Sequence, residues 1–197
     1  MKRLLIAAML AATPLLSWAA TDPAPGAVMV ERSAVQVAEI PGLLEAWTAR
    51  GHQGKGLPAL ATVDIFVKSE VPPEKLASAA YTLLNGAGFD TSTNKKGSTT
   101  IGGKTTGEPG DPPIVYDKAK LAVKQIQAPP GKVIQAISGL VDCPVLVYYG
   151  GVQTPQILKF QQGTWTKTQM WSQLQKVLIA NGATVGGNEN FLLVWFP

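Results

Sequence analysis

Apolar and polar positions alternate from Thr62 to Lys68 (TVDIFVK), with Val63, Ile65 and Val67 set against Asp64 and Lys68. A period of two in β-branched residues predicts a half-buried strand. The period then changes. Pro72-Pro73 opens a helix, Glu74 suits its first turn, Leu76, Ala80, Leu83 and Leu84 line one face, and Asn85-Gly86 stops it. Further on, Ala119 to Gln127 reads as a strand. Pro129-Pro130 opens a second helix with Val133, Ile134, Ile137, Leu140 and Val141 in one apolar stripe. Pro144 ends that stretch, Val145 to Tyr149 is strongly β-prone, Gly150-Gly151 turns the chain, and Ile157 to Phe160 is another strand. Thr166 and Gln169 fit a capping box ahead of Met170, Trp171, Leu174, Val177 and Leu178. Asn181-Gly182 caps this helix and Gly186-Gly187-Asn188 predicts a turn. Phe191 to Phe196 (FLLVWF) is apolar throughout, which predicts a central strand covered on both faces.

The remaining stretches carry weaker patterns. Val35 to Arg50 holds a short helix with Leu43, Leu44 and Trp47 at helical spacing, and Gly51 to Gly56 (GHQGKG) reads as a loop. Residues 90–113 are Ser/Thr/Gly/Pro-rich with Ile101 as the one large aliphatic, the composition of a linker or long loop. Pro72 to Leu84 echoes Pro129 to Val141 at a spacing of 57 residues: paired prolines, a lysine two places on, a central alanine and a later leucine. Two related small α/β modules would explain the echo, and so would two independent helices that both open on prolines. The expected fold is α+β, a small mixed sheet with two helices packed on it, preceded by a second small α/β module. The division is 1–19 signal peptide, 20–60 tether with a short helix, 61–90 strand-helix module, 91–113 linker and 114–197 α/β domain.

The amino terminus changes the picture of location. Met1-Lys2-Arg3 precedes an apolar run of 13 residues, Leu4 to Leu16, and Ser17-Trp18-Ala19 places small residues where a signal peptidase reads. That order is a secretory signal peptide cut after Ala19, with Ala20 the alternative, and the run is short of the ~20 residues that span a bilayer. The expectation is an exported, periplasmic chain with no membrane insertion after cleavage. The only cysteine, Cys143, lies far from the cleavage site, which argues against a lipoprotein. The chain has 17 basic and 13 acidic residues; removing Lys2 and Arg3 leaves 15 against 13. Lys95-Lys96, the densest basic group, sits in the glycine-rich stretch, so the balance gives no argument for nucleic acid.

Candidate chemistry is sparse. Cys143 cannot form an internal disulfide and reads as a buried thiol, with an intermolecular disulfide as the alternative. His52 is the single histidine, so a His-rich metal site is excluded, and no nucleophile elbow, phosphate loop or His-Glu-x-x-His helix occurs. No catalytic, cofactor-binding or metal-binding residue is expected, and no cofactor. Aromatic residues remain as candidate anchors: Trp165 ahead of the helix cap, and Tyr148 and Tyr149 at the end of their strand. The rival expectation is a periplasmic enzyme or small-ligand-binding protein with its site in a cleft between the two modules, gathering residues such as His52, Glu70 and Asp142.

The carboxy-terminal portion resembles the secretin amino-terminal module, also called the secretin and TonB short amino-terminal domain. The resemblance lies in Val133 to Val141, Val145 to Tyr149, Ile157 to Phe160, the Thr166 cap, Trp171 to Leu178, Asn181-Gly182 and Leu192 to Trp195. It covers about 119–197, some 40% of the precursor. Trp171 stands where that family usually has an aliphatic, and no pore domain follows. The resemblance implies a non-enzymatic assembly or binding component of a secretion, type IV pilus or conjugation machine. Its implied partners are proteins of an envelope-spanning complex, such as an outer-membrane secretin or a lipoprotein.

Overall fold

The computed structural model describes residues 27–103, 110–115, 117, 119–151, 156–188 and 191–197; the expected signal peptide lies outside them. The fold is α+β. Its centre is a five-stranded sheet built from β1 (Val28–Gln36), β3 (Thr62–Val71), β8 (Val145–Tyr149), β12 (Phe191–Phe196) and β11 (Thr184–Asn188), in that spatial order. β8 and β12 run parallel; the other neighbours are antiparallel. A parallel pair needs a crossover. Here it is made by α4 (Lys167–Ala180).

All six residues of β12 are buried, as its continuous apolar run predicts, because both faces of the sheet are covered. Alternation sorts the side chains between two cores. Ile65, Leu146, Tyr148, Leu193 and Trp195 meet α1 (Ile40–Thr48) and α2 (Pro73–Gly86) on one face. Phe66, Val147, Tyr149, Leu192 and Val194 meet α3 (Pro130–Val141) and α4 on the other. The proline-opened helices of the sequence echo, α2 and α3, therefore lie on opposite faces. The strands before them are not equivalent: β3 is central, whereas β7 (Ile126–Ala128) pairs with β9 (Leu158–Phe160) in a separate two-stranded sheet.

Several expectations need correction. The stretch 20–60 does not act as a tether over its described part: β1 pairs along β3, and β2 (His52–Lys55) sits in the expected GHQGKG loop. Residues 90–113 carry a hairpin, β4 (Asp90–Thr93) and β5 (Thr99–Gly102), and β2 joins it by parallel pairing to β5. Thr99 and Ile101 are buried beneath it. The run 119–127 is split into β6 (Lys120–Val123) and β7, and β6 pairs with β10 (Gly163–Thr166). Gly186-Gly187-Asn188 belongs to strand β11 rather than to a turn. Glycine tolerates that strand because another backbone approaches Gly187 closely: its N–H donates to the Gly110 carbonyl at 2.8 Å. The carboxy-terminal helix pair does share one face of the sheet. The other face of β8 and β12 is covered by α2 from the amino-terminal half, so the core runs across the expected boundary.

Candidate functional site

β3 carries one buried carboxylate, Asp64, 7% exposed and pointing to the α3 side. Ala34 breaks the register of β1 at a bulge with φ 56°, and its N–H donates to Asp64 Oδ1 at 2.6 Å. The Tyr149 hydroxyl donates to Asp64 Oδ2 at 3.0 Å. A Cβ on Gly131 would lie 2.7 Å from that same oxygen, so the first turn of α3 comes this close only because residue 131 is glycine. Burial raises the Asp64 carboxyl above the usual range, partly offset by the Ala34 N–H, the Tyr149 hydroxyl and the Lys132 charge. Burial likewise raises Tyr149, helped by the neighbouring carboxylate. This node joins an edge strand, two central strands and a helix start.

The expected anchors separate. Tyr149 is stacked on Phe196 with ring centroids 5.3 Å apart, and Tyr148 packs edge-on against Phe89 at 6.1 Å. Both tyrosines are buried, at 5% and 7% exposure, so neither ring is available to a partner: the strand that carries them is covered on both faces. Trp165 on β10 is half-buried against the α3/α4 core, and its Nε1 is buried without a hydrogen-bond partner among the described residues. Trp171, in the helix, donates from Nε1 to the Pro113 carbonyl at 2.9 Å.

The residues of the expected cleft also divide. His52 is buried between its own turn and α2, with Nδ1 2.6 Å from the Arg50 carbonyl and Nε2 on the Tyr81 hydroxyl. Glu70 and Asp142 do come together, in a groove of about 370 Å³. The end of β3 and the start of α2 form one wall, with Glu70, Pro72 and Lys75; the end of α3 forms another, with Val141 and Asp142. A strap, residues 110–115, closes the third side and presents Ile114, 69% exposed. The strap is fixed at both ends: Gly110 bridges to Gly187 on β11, and Thr168 donates to the Val115 carbonyl at 2.6 Å. A second hollow of about 210 Å³ lies behind it against Trp171.

Sequence reasoning placed Glu70 and Asp142 together but missed the strap, whose signal was the Pro112-Pro113-Ile114-Val115 run inside a polar stretch. Cys143 lines the groove but is 7% exposed, and burial pushes its thiol up to about 12. A thiol in that state is a poor nucleophile at neutral pH. No group of three or more potential metal ligands occurs among the described residues, and no helix among them is long and apolar enough to cross a membrane. The chain is thus an α+β protein with its central sheet between two pairs of helices and a groove lined by the start of α2, the end of α3 and the strap. Comparison with protein-family models, with curated proteins and with solved structures finds no match.

Proposed function

We propose that the protein is a periplasmic, non-enzymatic assembly or binding component of a bacterial secretion, type IV pilus or conjugation machine, acting by protein contacts through the groove. The observation that carries this reading is Ile114, held 69% exposed by an anchored strap beside the groove. A large aliphatic side chain presented beside a groove can serve as an interface anchor. The groups with reactive chemistry are committed to the fold: Asp64 and Tyr149 to each other, His52 to Tyr81, and Cys143 to the core. The signal-like amino terminus and the resemblance of residues 119–197 to the secretin amino-terminal module support the proposed location and kind of machine.

The test is a photo-crosslinking residue at Ile114 in cells that make the candidate machine. Discrete adducts to envelope components, lost when Glu70 and Asp142 are reversed to lysine, are expected. The same probe at Ile179, an exposed position on α4, serves as the control. A chain recovered only as a free monomer, with no adduct at position 114, would overturn the reading.

A second reading rests on Glu70 and Asp142 lining the same groove. A volume of about 370 Å³ falls within the range of small-ligand sites, and two carboxylates would favour a cationic ligand. A thermal shift with small polyamines that disappears in E70Q/D142N would favour it over the protein-contact reading.

A further inference from the structure

We infer that the groove receives the Lys95-Lys96 hairpin of a second copy of this chain, so that copies associate head to tail. The inference rests on the groove being a protein-docking site and names its occupant.

The hairpin end of the molecule is basic and rigid. Asn94 Oδ1 accepts from the Lys96 N–H at 2.8 Å and the Ser98 N–H at 3.1 Å. The Asn94 N–H donates to the Ser98 carbonyl at 2.9 Å, and Gly97 completes the turn at φ 80°. Lys95 and Lys96 are both exposed at this tip. The tertiary structure adds a third cation. Parallel pairing of β2 with β5 sets Gly51 against Ser98 and Thr99, and so brings the exposed Arg50 beside the turn. None of these three cations has an ion pair among the described residues. A preformed turn loses little conformational freedom on docking.

The groove holds two carboxylates, with Lys75 in its lining and Lys68 in the hollow next to Asp142. Glu70 and Asp142 are exposed, line the same groove and form no ion pair among the described residues, while Lys75 is engaged within the chain. Ile114 and Pro72 between them offer apolar surface for the lysine stems. The two ends cannot meet within one molecule. Pro72 and Lys75 mark the start of α2 at the groove, whereas Tyr81 and Asn85 near its end hold β2 and β4, through His52 and through the Thr91 hydroxyl at 3.3 Å. The 14 residues of α2 separate them by about 20 Å. Two different, complementary patches on one chain make a heterologous contact, which propagates as a ring or an open filament.

The experiment uses the mature chain and sedimentation velocity at low and high salt. The expected result is mass that grows with protein concentration, with an association constant falling about tenfold or more as added salt shortens the screening length from about 30 Å to about 3 Å. K95E/K96E and E70K/D142K should each be monomeric, and mixing them should restore association, because each supplies the charge the other lacks. All four substituted positions are exposed, so unchanged thermal unfolding shows that both variants are folded. A monomer at every concentration, association indifferent to both reversals, or a mixture that stays monomeric would overturn the inference. If the monomer result coincides with groove-dependent adducts to another envelope protein, only the second-copy occupant falls and the docking reading stands.

Discussion

The Tyr149 hydroxyl lies 3.0 Å from Asp64 Oδ2, and this bond adds a side-chain tie to the pairing of β8 with β3, the strand that carries the bulged edge β1. Y149F would leave one buried carboxylate oxygen without its donor. The expected loss is about 1–3 kcal/mol in denaturant unfolding, with Asp64→Ala costing more because Ala34 N–H and Tyr149 O–H are then both orphaned. A change within a few tenths of a kcal/mol would show that the node carries no stability.

Asp64 also predicts a pH dependence. Its folded carboxyl is raised by burial above the ordinary value of 3.8, so the folded state holds its proton more tightly than the unfolded chain does. Stability from this group is complete below 3.8 and is lost as pH rises through the folded value. Wild type should therefore gain stability relative to the non-titrating D64N as pH falls from 7 into that window. A difference that stays flat with pH would contradict the raised carboxyl.

Gly86 lies under the Trp195 indole: a Cβ there would come 2.6 Å from Cζ2, while Trp195 Nε1 donates to the Leu83 carbonyl at 2.7 Å. Gly86→Ala should destabilise by about 1–3 kcal/mol in spite of alanine's better helix propensity. In combination with W195F the cost should be less than additive, as measured by a double-mutant cycle.

Cys143 should resist thiol reagents in the native protein, since burial pushes the thiol up to about 12. Maleimide labelling near pH 7 is expected only after unfolding, at a rate that follows the unfolding transition. Fast labelling of the folded chain would place the thiol at the groove surface instead.

The strap is expected to answer to Trp171. Removing its N–H with W171F frees the Pro113 carbonyl, and hydrogen exchange at the Gly187 amide, bonded to Gly110, should accelerate several-fold. An unchanged Gly187 rate would mean that Gly110 holds the strap unaided.

Local signals made some elements legible. Thr166 and Gln169 form both bonds of the capping box, with the Gln169 N–H 3.1 Å from Thr166 Oγ1 and the Thr166 N–H 3.0 Å from Gln169 Oε1. The paired prolines sit at the starts of α2 and α3, and the unbroken FLLVWF run is central. Those features depend on neighbours a few residues away. β2, β4, β5 and β11 were missed for the converse reason. Polar, glycine-rich strands have no period of their own and exist because a partner strand from elsewhere in the chain satisfies their backbone groups. In the candidate site, Glu70 and Asp142 could be named together from sequence, but not the strap that walls them.

The linear pattern of residues determined which segments bury a face, where two of the helices open on prolines, and that β12 must be covered on both sides. It could not say which cover lies on which side, because alternation fixes two faces without naming their partners. Only the tertiary structure decided that one sheet runs through both halves of the chain, that Tyr148 and Tyr149 are buried on opposite faces of it, and that Gly51, next to Arg50, pairs beside the Lys95-Lys96 turn. Contacts across such separations are set by packing and strand pairing, and packing has no local signature in the residues that make it.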